Sequence, residues 1–145
     1  MSLPRPEPGL VIAYDYLWRH EHEAGRDYGC KIRPCAIVVA VENNSGATEV
    51  VMAPIMHLEP MPPSQDIEIS SKVKQHLGLD HDRSWVILND LNVFTWPGFD
   101  LHPVPNAGAG VYHYGFLPPK LHRAIVTRII ALANLARATN RNEKP

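Results

Sequence analysis

Short runs of β-branched and aromatic residues, separated by turn-forming residues, recur through the first two thirds of the chain. Such runs are typical of β-strands, because these side chains pack well on a pleated surface. The pattern predicts four main strands and one short edge strand. The main strands cover residues 9–16, 34–41, 48–55 and 84–94, and the edge strand covers residues 66–69.

The second strand contains the run CAIVVA, residues 35–40, which has no charged or strongly polar residue. An unbroken apolar run predicts a strand that is buried on both faces. Arg33 and Pro34 stand directly before it, and proline is accepted at the start of a strand because it lacks an amide donor. The arginine is therefore predicted to project from a rigid, buried strand.

Turn and capping residues connect the strands. The sequence NNSG at residues 43–46 is a strong turn signal and predicts that the second and third strands form a hairpin. Ser70, residues 72–77 and Gly78 together predict a short capped helix. A serine oxygen accepts hydrogen bonds from the first helical amides, and glycine adopts the left-handed conformation that ends a helix.

Near the end of the chain, the spacing of the apolar residues changes. Apolar residues recur at helical spacing over residues 118–137, which predicts a C-terminal helix with proline in its first turn. Residues 1–8 are predicted to be loose, and residues 97–110 to be a turn-rich spacer. The elements predict a single domain, a mainly β (α+β) protein with a small β-barrel over residues 9–95 and helical additions.

Composition narrows the classes of function. The chain has 145 residues, a size typical of one domain, and a net charge of −1 with a pI of about 6.7. No overall positive field attracts nucleic acid, so an anionic ligand would need a local cluster of positive charge. Cys30 and Cys35 are predicted to be reduced thiols. The chain shows no secretory signal and no apolar run of about 18 residues, so we expect a soluble, cytoplasmic protein without a membrane partner.

Three polar groups lie near the ends of predicted strands, where binding and catalytic residues are commonly placed. The first is HEHE, residues 20–23, which could ligate a metal, serve in acid–base chemistry or form a solvated charged loop. The second is Arg33, which is either a solvent-facing strand end or a charge directed at a site. The third combines His57, after the third strand, with Asn89 and Asp90, which interrupt the fourth strand and predict a bulge or a strand end there.

A carboxylate and imidazoles beside an arginine, once brought together, suit cleavage of RNA without a metal. One group takes the proton of the 2′-OH, whose oxygen attacks the adjacent phosphorus, and another group protonates the departing 5′-oxygen. The arginine stabilises the charge that builds on the phosphoryl oxygens. Bases of a single strand could stack on Tyr16, Trp18 or Trp96, unless these side chains are buried in the core.

Several short segments stand in a definite order between residues 9 and 95. They are GLV at 9–11, HEAGR at 22–26, RP at 33–34, VVMAPI at 50–55, GL at 78–79 and SWVILND at 84–90. In this order they resemble the PemK/MazF family of toxins from bacterial toxin–antitoxin pairs. The most specific feature is an arginine–proline pair before one strand followed by proline–isoleucine in the next.

The resemblance implies an SH3-like barrel that forms a homodimer. It also implies a metal-independent endoribonuclease, with no cofactor, that cuts single-stranded RNA and is blocked by a cognate antitoxin protein. Arg33 matches the family's catalytic arginine and Glu23 its loop glutamate, with His22 beside it as a further acid–base candidate. Asn89 and Asp90 match the acidic/glutamine pair of the late strand, for which we expect contacts with RNA.

The chain departs from the family within the implied site. Threonine and serine usually follow the proline–isoleucine or proline–leucine pair, whereas Met56 and His57 stand here. Since a thioether cannot transfer a proton, His57 is predicted to take the catalytic role. Asn92 replaces the late-strand arginine, and together with Trp18 it completes the predicted RNA contacts. The alternative is a catalytically weakened barrel that binds RNA or a protein partner.

Overall fold

A curled β-sheet forms the body of the protein. The computed structural model describes residues 3–15, 32–57, 59–61, 66–97, 101–105, 107–108, 110–132 and 137–140. The strands within these ranges are β1 (Leu10–Asp15), β2 (Ile32–Glu42), β3 (Thr48–Met56), β4 (Ile67–Ile69), β5 (Ser84–Val86), β6 (Asp90–Thr95), β7 (Leu101–His102), β8 (His113–Phe116) and β9 (Arg137–Asn140). The helices are α1 (Ser71–Leu77) and α2 (Pro119–Ala131).

The sheet is antiparallel with one exception among the described strands. β2 lies at its centre, between β1 and β3. β7 and β8 pair with β1, β5 and β6 pair with β3, and β4 pairs with β5. β9 is the exception, since it runs parallel to β6. The predicted mainly β fold is therefore confirmed, and the described part of the chain forms a curled half-barrel with two helices.

The predicted hairpin between the second and third strands is confirmed. Its turn is closed by Asn43, whose Oδ1 accepts hydrogen bonds from the amides of Ser45 at 3.0 Å and Ala47 at 3.1 Å. An asparagine side chain that binds the backbone two and four residues later mimics a turn of the main chain. The turn sets the register of the hairpin, whose paired residues extend to Cys35 and Pro54 at the far end.

Two apolar cores lie on opposite sides of the sheet, because successive strand residues point to opposite faces. The first core, to which α1 and α2 contribute, contains Val11, Ala36, Val38, Ala53, Ile55, Ile69, Leu77, Val86, Leu88, Leu91, Leu117 and Ile125. The second core contains Leu10, Ile12, Tyr14, Cys35, Ile37, Val50, Met52 and Phe94. β1 and β2 thus supply side chains to both cores.

Burial of the second strand on both faces is confirmed for residues 35–38. Val39, by contrast, is 41% exposed. The register of β2 on β3 shifts between Ile37 and Val39, and such an irregularity turns a strand and its side chains. The buried part of β2 is therefore the half that follows Arg33.

The fourth strand predicted over residues 84–94 is not continuous, because this segment divides into β5 and β6, and the bulge or strand end predicted at Asn89 and Asp90 is confirmed. Both pair with the same edge of β3. Six positions separate Val86 from Asn92, but only three separate their partners Ile55 and Met52, so three extra residues bulge between the two strands.

Hydrogen bonds from outside the ladder stabilise this break. The amide of Leu88 donates to Oδ1 of Asp66 at 2.8 Å, and the amide of Ile87 donates to the carbonyl of Pro54 at 3.0 Å. Pro54 has no amide hydrogen and cannot return a bond to its partner, so regular pairing ends there.

The predicted C-terminal helix over residues 118–137 is confirmed at its start but is too long. α2 begins at Pro119 and ends at Ala131. Residues 137–140 form β9, because the edge of β6 that does not face β3 offers backbone partners. β7 and β8, for which no strand was predicted, add to β1 in the same way. Neither helix in the described ranges combines the length and apolar character needed to cross a membrane.

Replacement of Ile125 by alanine tests the contribution of α2 to the first core. Ile125 is 1% exposed, so we expect its truncation to lower the free energy of unfolding by about 2–5 kcal/mol, through lost apolar burial and the cavity left behind. Ile130 of the same helix is 69% exposed, and Ile130→Ala is expected to stay within about 0.5 kcal/mol of wild type. Urea denaturation measures both variants, and equal losses would contradict this packing.

Candidate active site

A cleft of about 610 Å³ opens where the start of β2, the end of β3 and the end of α1 meet. Its walls combine apolar side chains of the strands with a cluster of polar ones. The polar side chains that line it are Arg33, His57, Lys74, Asp80, Ser84 and Tyr114. Two of them, Arg33 and His57, are predicted catalytic residues.

Arg33 is the second residue of β2 and lies directly before the buried half of that strand. It pairs with Tyr14 of β1, and its neighbour Pro34 pairs with Ala13. The guanidinium Nη1 donates to Sδ of Met56, across the far end of the β2–β3 hairpin. Met56 stands where the resembled family has its threonine. The positions that match the family's arginine and threonine are therefore in contact in this protein.

His57 follows β3 directly and is exposed at the mouth of the cleft. Its Nε2 lies 2.6 Å from Oδ2 of Asp80. A nitrogen at that distance from a carboxylate oxygen donates a charge-assisted hydrogen bond. The predicted imidazole is therefore held by a carboxylate that sequence analysis did not include in the site.

Lys74 binds the other oxygen of the same carboxylate. Its Nζ lies 2.5 Å from Oδ1 of Asp80 and 2.7 Å from Oγ of Ser84, and it also donates to the carbonyl of Asp82. The side chain is only 5% exposed. An ammonium group has three donors, and here each has an acceptor, which is the condition under which a charge is tolerated in the interior. We call Lys74, Asp80 and His57 the polar chain.

The capped helix α1 places Asp80 beside Lys74. Oγ of Ser70 accepts from the amide of Val73 at 3.3 Å, and Gly78 ends the helix with φ of 70°. In this left-handed conformation, which glycine adopts without steric cost, the amide of the next residue, Leu79, donates back to the carbonyl of Lys74 at 2.9 Å. The chain reverses at this point, and the prediction of a capped α1 is confirmed.

Electrostatics keep Asp80 ionised. Partial burial by itself raises the pKa of its carboxyl group, but the hydrogen bond and charge of Lys74, followed by those of His57, outweigh burial and hold the pKa below its usual value of 3.8. On the opposite wall of the cleft, burial raises the pKa of Tyr114, and the nearby Cys35 adds to that rise. Tyr114 therefore presents a neutral phenol.

Among the residues that the structure describes, three further predicted site residues, Asn89, Asp90 and Asn92, do not line this cleft. Asn89 is exposed in the break between β5 and β6, and Asp90 begins β6. Asn92 is 0% exposed and pairs with Met52. The structure thus brings Arg33 and His57 together without these three residues.

The remaining candidates, His22, Glu23 and Trp18, lie outside the described residues, as does the HEHE segment to which the first two belong. Their roles stay predictions from the sequence.

The sequence offered one signal for the missed residues. Lys74 lies in the predicted short helix, and Asp80 lies two positions after its terminal glycine. A left-handed glycine reverses the chain toward the last turn of the helix, so a lysine and an aspartate at this spacing are good candidates for an ion pair. Ser84 and Tyr114 carried no such signal, since their proximity depends on how β5 and β8 join the sheet.

A metal ion at this site would be repelled by positive charge that is already there. The ligand atoms of His57, Asp80 and Asp82 lie within 4.8 Å of one another. Both oxygens of Asp80, however, are already bound by Nζ of Lys74 and Nε2 of His57. A cation bound to Asp80 would sit beside this buried ammonium group and be repelled by its charge.

Comparison with known proteins identifies no family for this chain. The chain matches no protein-family model and no curated protein sequence. The resemblance to PemK/MazF toxins remains a prediction from the sequence, and the site's own chemistry has to support any function assigned to it.

The pKa of Asp80 leads to a prediction about stability and pH. A carboxyl group whose pKa is lower in the folded state contributes stability above its usual pKa, and that contribution is lost as the pH falls through the folded-state value. We expect Asp80→Asn to lower the free energy of unfolding near neutral pH, and the difference from wild type to shrink below pH 3.8.

Urea denaturation at neutral and acidic pH measures this difference. Glu42→Gln removes an exposed carboxylate at the end of β2 and is the matched control, with little effect expected at either pH. A difference between wild type and Asp80→Asn that stays constant into strong acid would contradict the contribution of the carboxylate charge.

Proposed function

We propose that the protein is a metal-independent endoribonuclease that cleaves single-stranded RNA, acting as the toxin of a toxin–antitoxin pair. The observation that carries this proposal is that Arg33 and His57, predicted independently of the structure, line one cleft. A permanently charged guanidinium and an imidazole are the two groups that charge stabilisation and proton transfer at a phosphodiester require.

The reaction divides between these groups. A base removes the proton of a ribose 2′-OH, and the 2′-oxygen attacks the adjacent phosphorus. The bond from phosphorus to the 5′-oxygen breaks, and an acid protonates that oxygen, which leaves a 2′,3′-cyclic phosphate and a 5′-OH. Arg33 stabilises the charge on the phosphoryl oxygens. His57 exchanges one of the two protons, and Glu23 or His22 exchanges the other.

The shape of the cleft supports a nucleic acid ligand. A volume of about 610 Å³ accepts a group of nucleotide size. Tyr114 offers an aromatic face and a neutral hydroxyl group, and Pro34 and Pro105 add apolar surface. Single-stranded RNA is commonly recognised by bases that stack on such surfaces.

The finer fold and the partners belong to the same proposal. The curled, mainly β half-barrel supports an SH3-like barrel, and the sequence resemblance supports a homodimer whose groove a cognate antitoxin blocks. Arg33 supplies local positive charge that the overall net charge of −1 does not, whereas the charge of Lys74 is balanced by Asp80.

A second function is favoured by the contact between Arg33 and Met56. Met56 stands at the sequence position where the resembled family usually has threonine, and a thioether exchanges no proton. The alternative is therefore a catalytically weakened barrel that binds RNA or a protein partner through the same cleft.

Cleavage by Arg33→Ala in EDTA tests the main proposal. On a mixed-sequence single-stranded RNA, we expect the wild type to cut in EDTA and the variant to cut about 100-fold more slowly or worse, because the developing phosphoryl charge loses its donor. Arg83→Ala removes an exposed arginine that pairs with Glu68 and Glu59, and we expect it to cut at the wild-type rate.

Each contrary result has its own meaning. Absence of any cut that depends on Arg33 would overturn the endoribonuclease. Loss of all cleavage in EDTA would favour a metal-dependent reaction. RNA binding that survives both Arg33→Ala and His57→Ala, without cleavage by the wild type, would favour the weakened barrel.

A further inference from the structure

Asp80 lies between a buried cation and an exposed imidazole, and its two oxygens bind these two groups separately. Oδ1 is 2.5 Å from Nζ of Lys74, and Oδ2 is 2.6 Å from Nε2 of His57. The resemblance implies no role for this carboxylate, which the fold brings to the site through α1 rather than through the β-strands.

We propose that Asp80 is a positioning residue for His57: its carboxylate fixes the orientation and tautomer of the imidazole, and Lys74 in turn fixes the carboxylate. The part of this inference that concerns catalysis rests on the proposed endoribonuclease. The part that concerns the imidazole itself stands on the geometry of the polar chain.

Exposure decreases along the polar chain toward its anchor. The side chains of His57 and Asp80 are 57% and 49% exposed, whereas that of Lys74 is 5% exposed. An ion pair between two exposed side chains is weak and does not hold one geometry. Here the orientation is imposed from the buried end, because Lys74 also binds Ser84 and the carbonyl of Asp82 and has no further donor to rotate.

The helix that carries Lys74 is itself fixed by the first core. Leu77, the last residue of α1, is 3% exposed and packs in that core. The amide of Asp82 donates to Oδ1 of Asp80 at 3.1 Å, which closes the loop after Gly78. The carboxylate is thus held by its helix, by its own loop and by an ammonium group.

The hydrogen bond assigns different roles to the two nitrogens of His57. Because Nε2 faces a carboxylate acceptor, it carries a hydrogen in the neutral ring, and Nδ1 carries the lone pair. Nδ1 is therefore the atom that takes a proton from the substrate, or returns one to it.

Kinetics in a double-mutant cycle test this role. We expect Asp80→Asn to lower the single-turnover rate of RNA cleavage about 10–100-fold with little change in the RNA concentration needed for half-saturation, since an ill-placed catalytic group costs rate rather than binding. In a His57→Gln background the same substitution is expected to have no further effect, because its target is absent. An equal loss in both backgrounds would show a merely structural role and overturn the proposal.

Three further variants extend this test. Lys74→Met removes the anchor and is expected to reproduce the effect of Asp80→Asn, whereas Glu68→Gln removes another ion-paired carboxylate, on β4, and is expected to cleave like wild type. If Asp82→Asn costs as much as Asp80→Asn and EDTA abolishes cleavage, the cluster binds a cation and the positioning role is overturned.

Nitrogen NMR gives a readout that needs no RNA. In a sample alkaline enough to keep the imidazole neutral, long-range ¹H–¹⁵N spectra distinguish the two tautomers of His57. The signals of His57 are assigned as those that disappear in the His57→Gln variant. We expect the Nε2–H form alone in the wild type and a mixture of both forms in Asp80→Asn. An unchanged tautomer in Asp80→Asn would overturn the proposal, whereas a wild type that fails to cleave RNA would overturn only the proposed function.

Discussion

The antiparallel pairing of β2 with β3 is the constraint on which both the core and the cleft depend. Two strands that run in opposite directions from one turn bring the start of the first beside the end of the second. Arg33 and Met56 therefore meet at the far end of the hairpin. The same pairing aligns residues of both apolar cores, so the strand end that carries Arg33 cannot move without disturbing the packing on both faces of the sheet.

The other wall of the cleft depends on a different kind of interaction. α1 has only seven residues, too few to be stable through its own hydrogen bonds. It is held on one side by Leu77 in the first core and on the other by the buried ammonium of Lys74, whose three acceptors come from the segment that follows the helix. The polar chain thus contributes to the position of α1 and, at its exposed end, to that of His57.

The parts of the fold that the sequence predicted well are those set by local chemistry. The hairpin followed from the NNSG turn, and α1 followed from Ser70 and Gly78, because turns and caps are determined by a few neighbouring residues. The break within residues 84–94 could likewise be predicted from Asn89 and Asp90, but the pairing of β5 and β6 on either side of Pro54 depends on a residue in another strand. β9 forms because one edge of β6 is available for pairing. The sequence of residues 137–140 contains no short-range pattern from which this pairing could be predicted.

The site shows the same division between local and distant causes. Arg33 and His57 could be predicted because each is adjacent to a strand end, and the hairpin then brings those ends together. Asp80 could have been suspected from its spacing to Lys74 across Gly78, but its contact with His57 joins residues of α1's loop and of β3, which only the folded sheet makes neighbours. Tyr114 reaches the cleft through β8, a strand that the apolar pattern did not predict.

The end of β3 explains how a site with methionine in the expected hydroxyl position retains a group for proton transfer. Successive residues of a regular strand point to opposite faces, but that alternation does not fix the side chain of a residue beyond the end of the strand. β3 ends at Met56, and His57 lies in a bend immediately after it. Met56 can then contact Arg33 while the imidazole turns to Asp80. Under the proposed mechanism, the residue that transfers a proton is His57 rather than the residue at position 56. The sheet positions residue 56, whereas Asp80, in the loop after α1, positions His57.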